Sequence, residues 1–311
     1  MPENALSNST TGTLGELSGD EYLRSSYDLD ISVITTNIKD IRMLKPGTAN
    51  SARDLEIRQW DKEYNTGPYA LIGKSTGDPD GWASWGLYYD HFREHSFRRI
   101  PVLPSDSHIN VVMRHLRKHH GALVSPSDGP SKGEITGVIF PLYLNRFQVR
   151  SFFYYWILGL ETRLVRYVGL MYPRDSDFQA KLAAVLPRER DEINRILRIR
   201  RNAGQTQARL SECLYLWQAL RILNGDPTVE KIRWLASEPF EIDEQDEHSF
   251  TVQDLKDTTV RDLVDFRNSI MHPMSLLVTD DDASVAELVK KYVLVKKMAQ
   301  IMDVRIRSLT R

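Results

Sequence analysis

The stretch Phe266-Arg267-Asn268-Ser269-Ile270-Met271-His272-Pro273 brings together residue types that could do chemistry. Arg267 is a permanent cation whose planar fork grips phosphate oxygens. His272 supplies an imidazole, the side-chain type suited to passing protons. Asn268, beside Arg267, can orient either group or a substrate. Together they suit phosphodiester cleavage without a metal. Five positions along an α-helix turn the chain by about 500°, or about 140° net, so a strict helix puts Arg267 and His272 on different faces. His272 precedes Pro273 at a helix end, however, and its direction can depart from that ideal. The same residues also suit an ordinary C-terminal helix turn, where Arg and His meet the last carbonyls.

Other constellations carry alternatives of their own. Glu161 is an acid inside an apolar helix. It either orients catalytic groups or pairs with Arg163, Arg166 or an arginine of another helix. Arg200-Arg201-Asn202 reads as an extension of a phosphate-binding face or as a solvated terminus. Between Lys181 and Ser211 stand eight Lys or Arg and three acids, a local basic face suited to a phosphate chain or to water. Six of the eight histidines lie between His91 and His120. His91/His95 and His115/His119 are i,i+4 pairs that can share a helix face. A zinc site is conceivable there. No Glu follows the first His of either pair, so the zincin pattern is absent and solvated histidines are the plainer reading. Asp280-Asp281-Asp282 suits a helix N-terminus or a cation. No Walker loop, GxGxxG, GxSxG or nuclease carboxylate motif appears. Arg267, His272, Asn268 and Glu161 are the candidates for a catalytic set, beside their structural readings, and no motif calls for a metal or a cofactor.

These residues need elements to position them. Residues 1–25 are rich in Ser, Thr, Gly and Asn and read as a flexible tail. Residues 26–146 read as mixed strand and helix in two similar units. In the first, a helix near Ala52–Trp60 precedes strands at 69–72 and 82–88, separated by the turn GKSTGDPDG. In the second, a strand entry at 101–103 precedes a helix over 109–120. Ser105, Asp106 or Ser107 would cap that helix and Gly121 would end it. Strands follow at 122–124 and 134–140, then a helical turn at Pro141. Gly81 and Gly133 fall at equivalent places, an offset that argues for duplication. Residues 147–311 read as all-helical, with helices at 147–171, 178–201, 208–223, 229–236, 252–272 and 284–307. The fold class is α+β.

The string RNSIMHP resembles the Arg-polar-x3-His motif of the HEPN family, with Arg267, Asn268 and His272 at its three positions. The helix running from Arg150-Ser151-Phe152-Phe153 to Glu161 and Arg166 is similar to a first HEPN helix that follows tandem CBS modules. GEITGVIFPLYL is similar to the second strand and following helix start of such a module. The resemblance implies a CBS-like sensor pair over 26–146 and a HEPN-like helical bundle over 147–311. It implies a metal-independent endoribonuclease that leaves 2′,3′-cyclic phosphate ends. His272 would be the general acid or base, Arg267 would stabilise phosphate charge, and two copies would form a homodimer. It further implies a toxin or anti-phage effector that acts on an RNA substrate. A nucleotide or cyclic oligonucleotide would control it through the CBS-like pair. Phe140 and Tyr143 stand where that family commonly places polar ribose contacts. Their rings would stack on a base instead, with Arg98, Arg99, Arg114 or Lys118 for phosphate. The alternative is a non-catalytic nucleotide-sensing, dimerisation or interaction protein.

Composition bounds the rest. The chain has 311 residues, is 41% hydrophobic and 27% charged, and carries a net charge of −1. That excludes a globally basic, nucleic-acid-coating protein. One cysteine, Cys213, excludes a disulfide framework. No apolar run reaches the roughly 18–20 residues of a membrane span, and no signal peptide opens the chain. A cytoplasmic protein with no membrane partner is expected.

Overall fold

The structure, a computed structural model, describes residues 29–37, 40, 43–44, 69–75, 78–85, 92–96, 100, 102–129, 132–226, 228, 230–239, 250–272, 275–279 and 282–311. It is a mixed α+β protein, mostly helical, with its C-terminal region entirely helical in regular structure. Eight strands are described: β1 (Thr36–Asn37), β2 (Met43–Leu44), β3 (Tyr69–Ser75), β4 (Asp78–Trp85), β5 (Phe92–Ser96), β6 (Val102–Pro104), β7 (Ala122–Ser125) and β8 (Gly137–Ile139). They form two four-stranded sheets, ordered β2-β3-β4-β5 and β6-β7-β8-β1. In the first sheet β2 runs parallel to β3, and β4 and β5 follow antiparallel. In the second β6 runs parallel to β7, and β8 and β1 follow antiparallel. The two sheets thus share one pattern of strand directions.

Helix α1 (Ile109–His119) makes the crossover from β6 to β7, as parallel pairing requires. The matching helix expected near residues 52–60 lies outside the described residues, as do the tail, His91, Arg98, Arg99, Asp280 and Asp281. Two local expectations are corrected. Residues 73–75 and 78–81 of the GKSTGDPDG turn belong to β3 and β4. Gly81 and Gly133 are not equivalent: Gly81 pairs with Ile72 and Ser96 inside β4, whereas Gly133 has φ +90 in a turn. Pairing with neighbouring strands outweighs weak local turn preference. The cap of α1 is His108, whose Nδ1 accepts the Asn110 N–H at 3.1 Å. Its end is His120, at φ +51, rather than Gly121.

His115 and His119 stack one turn apart on α1, their ring centroids 6.2 Å apart. Among the described residues no three His, Cys, Asp or Glu converge as metal ligands. Burial first, then His119 and Lys118, hold the His115 imidazole below its usual 6.5. The unfolded chain therefore takes up this proton more readily than the folded one. Stability is expected to be full above the unfolded value and to fall as pH drops below about 6.5. Urea midpoints from about pH 7 to pH 5 check this, and His115→Gln should flatten the slope.

The helical region holds α2 (Phe147–Met171), α3 (Asp175–Val185), α4 (Arg190–Asn202), α5 (Leu216–Asn224), α6 (Arg233–Ala236), α7 (Val252–Lys256), α8 (Val260–Met271) and α9 (Asp282–Thr310). Two expected single helices are each split. The segment 178–201 breaks around Pro187, which cannot donate within a helix. The segment 252–272 breaks at Thr258, because Thr259 starts a new helix. Its hydroxyl accepts the Asp262 N–H at 3.1 Å, while its own N–H donates to Asp262 at 2.8 Å. Thr251 and Asp254 cap α7 the same way. Two Thr-Val-x-Asp-Leu strings carry this signal in the sequence. The expected helix over 208–223 is a 3-10 turn at Leu210–Cys213 followed by α5. Gly169 of α2 admits that turn, since a Cβ there would lie 2.9 Å from Ser211 Oγ. The expected helix over 229–236 is confined to α6.

Helix α2 forms the centre. Phe152 contacts Tyr292 of α9, and Phe153 contacts both Tyr292 and Phe266 of α8. Each fully buried Phe contributes about 1.5–3 kcal/mol over exposure. Arg163 of α2 reaches Asp303 of α9 at 2.8 Å. Arg146, at the entry to α2, donates to Ile34 O at 2.7 Å and Thr36 Oγ1 at 2.6 Å, tying β1 to the helical region. The buried apolar residues form one cluster from Ile31 to Met302. Phe140 and Tyr143 belong to it, 0% and 4% exposed and edge-on to each other. That corrects the expectation that their rings stack on a base: the 3-10 turn Pro141–Asn145 that follows β8, capped by Phe140, places both in the interior. No described helix is long and apolar enough to cross a membrane.

Candidate functional site

Helix α8 carries Arg267 and Asn268, His272 caps its C-terminal end, and α2 carries Glu161. The C-terminal end of α8 lies beside the first turn of α2, where Arg150 meets the Ser269 and His272 carbonyls. Glu161 of α2 lies against Arg267 of α8, Oε2 to Nε at 3.8 Å. The pair is partly shielded, with side chains 15% and 32% exposed. At 3.8 Å this is an ion pair rather than a hydrogen bond. Glu161 is fixed by a separate contact: its Oε1 accepts the Leu216 N–H at 2.7 Å. That amide belongs to the first turn of α5, one of the donors a helix start leaves unpaired. The carboxylate thus anchors α5 and faces Arg267 with its other oxygen. Arg267 makes no hydrogen bond to a described residue, so its Nη donors remain for a ligand.

His272 ends α8. Its N–H donates to Asn268 O at 2.9 Å, and its φ of −99° and ψ of 106° are extended. The residue before a proline is driven to that region. Its side chain is exposed, as is that of Asn268. The structure brings Glu161 to Arg267. It shows no contact joining His272 or Asn268 to that pair.

Sequence reasoning missed what holds the end of α8. Arg150, 6% exposed, donates through Nη1 to Ser269 O at 2.6 Å and His272 O at 3.3 Å. Its Nη2 donates to Ser275 O, and its Nε to Asn145 O at 2.9 Å. Burial lowers its pKa. Asn145 Oδ1 accepts the Leu277 and Val278 N–H groups, and its Nδ2 donates to Val278 O at 2.7 Å. One guanidinium and one amide thus pin the chain on both sides of the turn that bears His272. The available signal is a charged residue in the first turn of α2, just before its apolar stretch.

The basic segment divides in two. Arg200 donates to Glu212 O at 2.7 Å, and Arg201 to Ala208 O and to Asp175. Both close the loop after α4 rather than extend a free phosphate face. Arg188, Arg195 and Arg198 are exposed. Cys213 is buried, and that burial pushes its thiol pKa up, which makes it a poor nucleophile.

Fold and site define a mixed α+β protein whose helical region sets a partly shielded Arg–Glu pair on the helix that ends at an exposed histidine. No protein-family model matches the chain, and no curated protein matches it.

Proposed function

We propose that the protein is a metal-independent endoribonuclease of the HEPN type. The observation that carries this reading is the Glu161–Arg267 pair. A carboxylate fixed by the Leu216 amide holds the Arg267 guanidinium by charge while leaving its outer donors unbonded. Such a cation suits an anionic phosphate whose charge grows during reaction. His272, exposed one helical turn beyond Asn268, supplies proton transfer. The RNA 2′-oxygen attacks the adjacent phosphorus, its proton passes to a base, and the bond from phosphorus to the 5′-oxygen breaks. The leaving 5′-oxygen takes a proton from an acid. The products are a 2′,3′-cyclic phosphate and a 5′-hydroxyl. Each chain offers one His272, so two copies related by a two-fold axis would provide both acid and base. Most of the aromatic run of α2 is used within the chain. Exposed Tyr155 and Leu158 remain for such a contact.

The test is cleavage of total RNA in excess chelator, with end-group analysis. Cleavage that persists and leaves cyclic-phosphate ends is expected. Activity lost to chelation and restored by a divalent metal would refute the mechanism.

Arg195 and Arg198 stand one turn apart on α4 and would hold substrate phosphates. Binding of a single-stranded RNA to cleavage-impaired His272→Ala protein is expected to weaken with salt. Adding Arg195→Ala and Arg198→Ala should reduce the log–log salt slope by about 0.7 per lost contact. Filter binding at several salt concentrations checks it.

The shared strand pattern of the two sheets supports a duplicated, CBS-like sensor region. A toxin or anti-phage role belongs to the same proposal.

A further inference from the structure

Between α1 and α9 lies a cleft of about 150 Å³. Its walls include Asn110 and Arg114 from α1, and Tyr292, Lys296 and Lys297 from α9. Among the described residues that line it, three are cations and none is a carboxylate. The cleft among α7, α8 and α9 is different: Asp254, Asp257, Asp262 and Glu287 there face Lys290 and Lys291. Lys296 and Lys297 are neighbours of like charge in this concavity, and an anion between them relieves their repulsion. A second observation points the same way. Asn110 Oδ1 is buried and accepts no hydrogen bond, whereas buried polar atoms are nearly always paired.

We propose that this cleft binds the phosphate end of a small phosphorylated ligand that carries a hydroxyl or amino donor close to its phosphate. Arg114, Lys296 and Lys297 take the anionic oxygens, and Asn110 Oδ1 accepts the neighbouring donor. Size supports a small group. At about 150 Å³ the cleft has room for a phosphate and its adjoining carbons. A nucleotide would seat its phosphate and leave its base outside; an RNA chain would not enter. Position gives the site a consequence. Helix α1 is the crossover of the second sheet, and α9 packs along α2, which carries Glu161. A ligand here clamps the sheet region to α9, the helix packed against α2. The proposal does not depend on ribonuclease activity, since binding is read directly.

The experiment uses the full chain, with thermal unfolding and calorimetric titration. The probes are inorganic phosphate, glycerol 3-phosphate and AMP, against sodium chloride at matched ionic strength. Glycerol 3-phosphate is expected to raise Tm saturably and to bind at least tenfold more tightly than phosphate. AMP binding more tightly still would mark the ligand as a nucleotide. AMP binding equally would mark it as a simple phosphate ester. Lys296→Gln with Lys297→Gln should weaken binding at least tenfold. Asn110→Asp should abolish it while raising the ligand-free Tm, because its carboxylate neutralises the same cations. No saturable shift with any probe would overturn the proposal. So would equal shifts in wild type and the double lysine variant, or a response to an RNA oligomer alone. The lysines are partly exposed, so that variant keeps the test decisive if Asn110→Asp does not fold.

Discussion

His272→Ala is expected to slow RNA cleavage by about 10²- to 10⁴-fold, the usual worth of a positioned acid or base. The side chain is exposed at the end of α8, and only its backbone enters the hydrogen-bond network. Truncation should therefore leave the fold intact, and the urea midpoint should hardly move. That separates a chemical loss from a structural one. Arg267→Ala is expected to lose activity as well, with part of the loss in RNA binding, because its cation acts on phosphate in both ground state and transition state. Single-turnover kinetics at saturating RNA, beside binding measured in the same variants, resolve the two. Unchanged cleavage in His272→Ala would remove the histidine from the mechanism. Loss of cleavage together with a collapsed urea midpoint would show a structural role instead.

Arg150→Met should have the largest effect on stability. The methionine keeps apolar bulk in the first turn of α2 but withdraws the donors to Asn145, Ser269, His272 and Ser275 carbonyls. A buried acceptor left unmade costs about 1–3 kcal/mol. With part of the turn near solvent, a net loss of about 3–5 kcal/mol follows from the same range. Equilibrium urea unfolding measures it. Amide exchange should also accelerate at Leu277 and Val278, whose N–H groups Asn145 holds beside the same turn. Arg150→Lys should recover only part, because one ammonium cannot reproduce the guanidinium fork. A midpoint shift within error for Arg150→Met would mean that water satisfies these carbonyls.

Much of what positions the candidate site is written locally. The bounds of α2, Phe147–Met171, agree with its apolar run, because helical periodicity depends on residues a few positions apart. Helix α8 stops at His272 because Pro273 follows. Arg267, Asn268 and His272 are neighbours on one segment, so their association needed no tertiary information. The break before α8 was equally legible, in Thr259 and Asp262, but the apolar spacing across it was given more weight. Other features were settled by packing. The sequence left Glu161 with several arginine partners; the contact of α2 with α8 selected Arg267. Phe140 and Tyr143 read as available to a ligand, but the 3-10 turn after β8 buries them in the core. The Ser269, His272 and Ser275 carbonyls that Arg150 meets lie 119 to 125 residues away in the chain, so only the turn after α8 supplies them. The cationic cleft between α1 and α9 exists only because two helices far apart in the chain lie side by side. Local preferences are set by covalent neighbours, and so the sequence alone determined α2, the end of α8 and the grouping of Arg267, Asn268 and His272. Which charge meets which, and which ring is buried, depends on long-range burial of apolar faces, and only the tertiary structure decided that.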